Sequence, residues 1–391
     1  MNKIVELCKH NECTGCMVCV GSCRNNAISI EIDNEGFSHP KIDHEKCVGC
    51  KLCQNICPVL NPIFHYKSGK VYAAWSKRDD IRLNSSSGGV FSELAIAILK
   101  SGGVVVGAYM DSNGYVFHKM IETEYELNDL RGSKYVQSNV LPSLLTEIRE
   151  TLKKNRKVLF TGTPCQIAGI RKLFHDNDNL YTMDLVCHGV PSPEFFAKIY
   201  ADIKKDYPNI VSYNFRKLDS WAVCGSVNIN ININNTIINQ PLYGKYTLYQ
   251  DAFLKGFLHR PNCYNCQYAC IDRVGDITVA DFWGIGIYKP IIEEHRKGCS
   301  MISINSNKGF LLFEQIKENI YFEERDIQET IDGGNEQLIK CSTKPFGRES
   351  FYRDSKVLSW KKLIKKYNLK TKNSPSMLKR LAYKIKKYIV K

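Results

Sequence analysis

Eight cysteines near the N-terminus recur at fixed spacing. Cys13-x2-Cys16-x2-Cys19-x3-Cys23 returns 34 residues later as Cys47-x2-Cys50-x2-Cys53-x3-Cys57, followed by Pro58. A chain with this cadence has little choice of local fold. The short spacings curl three thiolates around one face of an iron–sulfur cube, and the fourth cysteine projects to the other cube, so such runs occur in pairs. The pattern assigns one [4Fe-4S] cluster to Cys13, Cys16, Cys19 and Cys57, and a second to Cys47, Cys50, Cys53 and Cys23. Zinc knuckles are the competing reading. Zinc, however, prefers four local ligands and gives no reason for eight cysteines in this order.

Between the two runs, Ala27–Ile32 and Phe37–Ile42 flank Asp33-Asn34-Glu35-Gly36. That supplies the small hairpin of a pseudo-symmetric, bacterial-type two-cluster ferredoxin domain over residues 1–65. Arg24 replaces the proline that usually follows the fourth cysteine, and a cation beside Cys23 favours the reduced cluster. Cys8 lies outside the motif and reads as a plain thiol.

Composition narrows the setting. The chain has 391 residues, 43% of them hydrophobic, which allows two or three domains and excludes general disorder. A chain of this size builds a core without a disulfide framework, so its 17 cysteines read as ligands in a reducing compartment. No run approaches the roughly 18–20 apolar residues of a membrane span, and the start lacks a signal-peptide core, so the cytoplasm is expected. The first 355 residues hold 41 basic against 40 acidic groups, and the stretch from Lys356 to Lys391 holds 13 basic and no acidic ones. A near-neutral body does not suit nucleic acid.

The remainder reads as an α/β body, with pieces at 66–150 and 151–345, and a basic tail at 346–391. Strand-like runs (Val71–Trp75, Val104–Tyr109, Lys157–Phe160, Leu180–Leu185) alternate with helix-like ones (Val90–Leu99, Leu141–Lys153, Gln166–Phe174). Residues 226–239 alternate apolar and polar around Asn234-Asn235, a hairpin pattern. In the tail, Trp360–Tyr367 and Leu378–Ile389 set apolar residues at helical spacing beside lysines. Peripheral contact with an anionic membrane is one reading of that pattern; an acidic partner or a solvated helix are the others.

Three features in the body carry chemistry. Asn84–Gly89 leads into a helical run, where free N–H groups attract phosphate, although a plain cap accounts for it equally. Thr161-Gly162-Thr163-Pro164-Cys165-Gln166 is a strand-to-helix turn with proline at the first helical position. Cys263, Cys266 and Cys270 offer three corners of a third cube. Cys187 or Cys165, each after an apolar strand, closes it. Zinc with His188 is the competing set.

Together with Gly132–Ser138 and Asp281–Gly284, these segments in this order resemble the beta-subunit family of coenzyme F420-reducing hydrogenase and formate dehydrogenase, over residues 10 to about 320. The resemblance implies an FAD-binding α/β domain with an additional 4Fe-4S cluster, whose flavin exchanges a hydride with deazaflavin or another two-electron substrate. FAD would be held by Ser87, Gly88, Gly89, Ser133, Thr161, Gly162, Thr163, Pro164, Cys165 and Gln166. Lys134 would lie near the isoalloxazine and His188 would donate a proton. Asp281 and Trp283 would shape the flavin or cluster pocket. Cys187 is the expected fourth ligand of the third cluster. The expected partners are a ferredoxin or other redox protein and a small two-electron substrate. Some relatives accompany surface-polysaccharide genes, which raises polysaccharide metabolism as a setting. The alternative is an electron-transfer adaptor without substrate chemistry of its own.

Overall fold

The computed structural model describes residues 5–175, 177–217, 222–231, 236–291, 295 and 297–372. The N-terminal repeat in sequence is a repeat in backbone. Short helices α1 (Val18–Ser22) and α2 (Leu52–Asn55) each follow a loop with two left-handed residues, Gly15 and Met17 in the first, Gly49 and Lys51 in the second. The φ values match to within a few degrees, at 71° and 59° against 73° and 59°. Glycine enters this region without the Cβ clash that other residues meet there. Strands β1 (Ile28–Ile32) and β2 (Ser38–Ile42) pair antiparallel, as the spacing implies, and Asp33 closes the turn by accepting from the Glu35 and Phe37 amides.

The body is built on one eight-stranded sheet. Its first elements are β3 (Val71–Ser76), α3 (Asp79–Arg82), α4 (Val90–Lys100), β4 (Val104–Met110), β5 (Val116–Ile121), α5 (Leu127–Leu130) and α6 (Pro142–Lys153). Then come β6 (Val158–Gly162), α7 (Pro164–Phe174) and β7 (Leu180–Leu185). After an excursion, β11 (Ile277–Asp281), β12 (Ser300–Ile304), α10 (Asn307–Glu314), β13 (Ile320–Arg325) and α11 (Ile327–Asp332) complete it. The strand order is β13-β3-β12-β11-β7-β6-β4-β5. Strands β4, β6, β7 and β11 run parallel. Alternation along them separates two cores: Val105 and Leu159 face α4 and α10, while Val104, Val106 and Phe160 face α6 and α7.

The excursion carries α8 (Pro193–Asp206), the three-stranded sheet β8 (Ile210–Lys217), β9 (Ala222–Ile231) and β10 (Thr236–Pro241), and α9 (Leu248–Leu254). β9 and β10 pair antiparallel across the expected hairpin, whose Asn234-Asn235 turn lies outside the described residues. Ile237 departs from the simple two-faced pattern and points outward, 57% exposed. This layer shares one aromatic core, including Phe195, Phe196, Tyr213, Phe215, Tyr249 and Phe253.

The C-terminal segment corrects an expectation. Helices α12 (Arg348–Val357) and α13 (Trp360–Lys366) are not an appendage. Phe351, Tyr352, Leu363 and Tyr367 are buried in that same aromatic core, and Lys366 and Tyr367 both bond to Asp354. The lysines occupy the outer face while the apolar side chains at helical spacing face inward, so charge alone does not distinguish a docked helix from a free one. Leu378–Ile389, read as a second amphipathic stretch, lies outside the described residues. No helix among the described residues is long and apolar enough to cross a membrane.

Burial of Phe351 predicts that Phe351→Ala costs about 3–5 kcal/mol, measured by chemical denaturation. A chain ending at residue 345 is expected not to reach the native fold.

Candidate iron–sulfur sites

The ferredoxin cysteines gather around two cavities. The first is lined by Cys13, Cys16, Cys19 and Cys57, and the second by Cys23, Cys47, Cys50 and Cys53. The fourth cysteine of each run therefore sits with the three of the other. The donor set suits iron–sulfur clusters on two counts. Backbone amides point at the sulfurs, from Gly15 to Cys13, Val18 to Cys16, Val59 and Leu60 to Cys57, and Gln54 to Cys53. Burial pushes the Cys16 thiol up to about 12, so a thiolate there needs a cation beside it, which the iron of a cube supplies. Cys50 is exposed whereas Cys13, Cys16, Cys19 and Cys57 are buried, which gives the module an outer and an inner end. Cys8 stays a protonated thiol although it stands close to the inner set. It lines the inner cavity, and hydrogen bonds to Cys13 and Cys57 raise its pKa.

The inner end is pressed against α7. A Cβ on Gly169 would lie 2.9 Å from Val18 Cγ1 and 3.1 Å from Cys16 Sγ, closer than ordinary packing permits. Cys165 lies one turn earlier on the same helix. Its turn is shaped locally: Pro164 occupies the first helical position, and Thr163 and Gln166 form a reciprocal capping box.

Cys165 belongs to a third set of thiols. It follows β6, Cys187 follows β7, and Cys263 and Cys266 come from the 3-10 turn Pro261–Asn265 and its end. Burial raises all four, Cys165 and Cys263 to about 12. Neighbouring sulfurs add to this: Cys187 feels Cys263, Cys165 and Cys266; Cys165 feels Cys266 and Cys263; Cys263 feels Cys266. Every pair within the four is in electrostatic reach. Cys270 feels Cys266, but none of the other three is among its main electrostatic neighbours. Its thiol donates to the Asp272 carbonyl at 3.0 Å and lies 3.5 Å from His65 Nδ1. Buried Tyr268 has its pKa raised by burial and then by both Cys165 and Cys16, so it stands by the inner ferredoxin set and the third set at once.

The residues expected to hold FAD spend their polar groups within the chain. Ser87 Oγ donates to the Cys299 carbonyl, Gly88 N donates to Ser300 Oγ, and a Cβ at Gly88 would meet the Ala74 carbonyl at 2.3 Å. The start of α4 already holds an acid, buried Glu93, bonded to Ser76. Ser133 N donates to Ser86 Oγ, Thr161 Oγ1 to the Val106 carbonyl, and Gln166 Nε2 to Ser138. A Cβ on Gly162 would stand 3.0 Å from Gln166 Oε1, so this turn is tight against its own helix. Lys134 caps α5, with its amine on the carbonyls of Asp129, Leu130 and Arg131, and burial lowers its pKa to about 7. His188 lies edge-on to Phe253, 3.3 Å from the Leu254 carbonyl, with its pKa lowered by burial. Cys299 is buried and Cys341 donates to the Tyr264 carbonyl, as plain structural thiols do; the Cys224 side chain lies outside the described residues.

A different constellation was not found by the motif reading. Arg216 on β8, 3% exposed at its side chain, pairs with Asp281 at the end of β11 and donates to Tyr135 Oη at 3.1 Å. Its guanidinium lies 5.4 Å from the Trp283 ring centre, and its Nε has no partner among the described residues. Tyr135 stacks on Phe253, which in turn contacts His188, the residue after Cys187. Asp281 and Trp283 stood out in sequence; Arg216 sits in an ordinary strand and carries no local signal.

Comparison with known proteins follows the same layout. A 4Fe-4S dicluster domain model matches residues 12–61. The N-terminal model of the coenzyme F420 hydrogenase/dehydrogenase beta subunit matches 71–145, and its C-terminal model matches 155–330. The fold and cysteine sets are those of an iron–sulfur oxidoreductase. The chain belongs to the coenzyme F420 hydrogenase/dehydrogenase beta-subunit family. No curated protein matches it. A chain of the F420-reducing [NiFe] hydrogenase complex from Methanosarcina barkeri aligns with 75% of this chain and 94% of its own length, at 17% identity and a TM-score of 0.44.

The packing at α7 yields a direct test. Gly169→Ala forces Cys16 and Val18 aside and is expected to cost about 1–3 kcal/mol in a denaturation titration, with Ala168→Gly as a control for helix propensity.

Proposed function

We propose that this protein carries single electrons from its exposed ferredoxin cluster, through the buried one, to a third cluster at the C-terminal edge of the sheet, where a two-electron carrier of the flavin or deazaflavin class pairs them. The observation behind this reading is the shared helix. Cys165 faces the third thiol set and Gly169 abuts Cys16 of the inner ferredoxin set. Four residues of α-helix advance only about 6 Å. In this reading Cys165, Cys187, Cys263 and Cys266 hold the third cluster. The strand ends that deliver Cys165 and Cys187 are where open α/β sheets commonly place ligands.

A flavin would be held by Arg216, Tyr135, Asp281 and Trp283 rather than by the loops singled out in sequence. When bound, it supplies conversion between one-electron and two-electron chemistry, which iron–sulfur clusters lack. The chain's own groups suit that task. Asp281 fixes the guanidinium, whose Nε, without a partner among the described residues, would donate to an anionic or carbonyl-bearing ring. Burial raises the Tyr135 pKa, so its hydroxyl keeps its proton and donates. Trp283 supplies an apolar face. A one-electron donor, a ferredoxin or partner subunit, meets the Cys50 end.

Anaerobically purified protein is expected to hold about twelve irons per chain, three cubes of four. Cys165→Ser and Cys266→Ser should each remove about four, while Cys270→Ser leaves the total unchanged. Loss of iron with Cys270→Ser, and none with Cys165→Ser, would overturn the ligand set. Arg216→Met is expected to release bound flavin with iron retained; wild-type protein with full iron and no flavin would reduce the function to a relay serving a partner enzyme.

A further inference from the structure

Arg260 is fully buried, and its partners are unusual for a cation. Its Nε donates to the Cys13 carbonyl at 2.7 Å, Nη1 to Gln137 Oε1 at 3.0 Å, and Nη2 meets the His39 ring at 2.9 Å. Among the described residues it forms no direct ion pair with a carboxylate; Asp33 lies one step further, 3.1 Å from His39 Nε2. Four other buried arginines, Arg216, Arg273, Arg325 and Arg348, are paired with Asp281, Asp184, Glu323 and Glu35. A guanidinium taken out of water without an anion is strongly disfavoured unless something else supplies the negative charge.

Its position identifies that charge. Arg260 stands three residues before Cys263, at the entrance to the third thiol set, while its guanidinium reaches into the loop of the inner ferredoxin set. An added Cβ on Gly15 would be 2.9 Å from Arg260 Nη1, so the cluster loop closes directly over it. Its backbone is part of the third set's own turn: the Arg260 amide donates to the Val190 carbonyl, three residues after Cys187, and the Arg260 carbonyl accepts from Cys263 N at 2.9 Å.

We propose that Arg260 is the shared counter-ion of the inner ferredoxin cluster and the third cluster, a positioning residue whose fixed charge raises both reduction potentials. Each cluster with four thiolates is anionic and gains a further negative charge on reduction, so a cation between them favours the reduced form of either. The step it serves is an electron transfer alone. The inner cluster loses one electron, the third gains it, and no bond or proton changes hands; the electron enters from a ferredoxin-class donor. The proposal rests on the reading that the third thiol set holds a cluster.

The test is a dithionite titration of the holoprotein followed by electron paramagnetic resonance, with iron measured on each sample. Arg260→Met is expected to disfavour reduction of both clusters about tenfold, about 59 mV for one electron, and Arg260→Lys should recover most of that shift. Gln137→Glu keeps the arginine but sets an anion against it, and should shift the inner cluster in the same direction. Full iron with unshifted potentials in Arg260→Met would overturn the proposal, as would a shift that lysine does not reverse. If both Arg260 variants lose iron, an unshifted inner cluster in Gln137→Glu overturns it. Wild-type iron near eight rather than twelve would refute the third cluster alone, and the inner-cluster shift would still decide the role of Arg260.

Discussion

The contact between Gly169 and the Cys16 thiol is the constraint on which the arrangement turns. A ferredoxin module on a flexible linker would bring its clusters to the body only by chance. Here a missing side chain on α7 lets the inner thiol set lie against the helix that begins at Cys165. The rest of the interface secures that approach. Arg348 forms a bidentate pair with Glu35, and Phe37 is buried in the aromatic core of the body. Gln137 and Gln267 bond the carbonyls of Thr14 and Pro58. Each bond fixes orientation as well as distance, which a fast electron step requires more than it requires affinity.

Charge is arranged in keeping with this layout. Buried thiols with raised pKa values are costly as bare groups and become favourable around a cationic metal core. The arginines are distributed accordingly: Arg216, Arg273, Arg325 and Arg348 each meet a carboxylate, and Arg260 meets none directly among the described residues. Buried ion pairs seldom add net stability, since desolvation offsets attraction. Their value here lies in holding a guanidinium at a set place, as Asp281 does for Arg216.

Periodicity made much of the fold legible. β7 runs Leu180–Leu185 as the apolar run predicts, and Pro164 opens α7 where its ring pre-sets the helical φ. The ferredoxin pairing was readable because the x2 spacing admits one geometry. The third set was only half readable. Cys165, Cys187, Cys263, Cys266 and Cys270 come from three separate stretches of chain, and which four of them close round one centre depends on packing that a single sequence does not display. Ser87–Gly89 and Thr161–Gln166 are ambiguous in sequence for a related reason. Small and hydroxyl residues at a helix start serve a ligand or serve the backbone, and the residues that decide, Ser300, Cys299 and Ser138, come from distant positions. Arg216 and Arg260 were invisible because burial, not neighbours in sequence, gives an arginine its role. The packed α12 and α13 were hidden by their lysines, which mark a solvated face without telling what the opposite face covers.

The central claim is that two iron–sulfur clusters face each other across one turn of α7. The most direct measurement is the electron paramagnetic resonance spectrum of the fully reduced, anaerobic protein at low temperature. The account predicts a spin-coupled signal beyond the coupling within the ferredoxin module, lost when Cys187 is replaced by serine. A spectrum identical in the two proteins would contradict it.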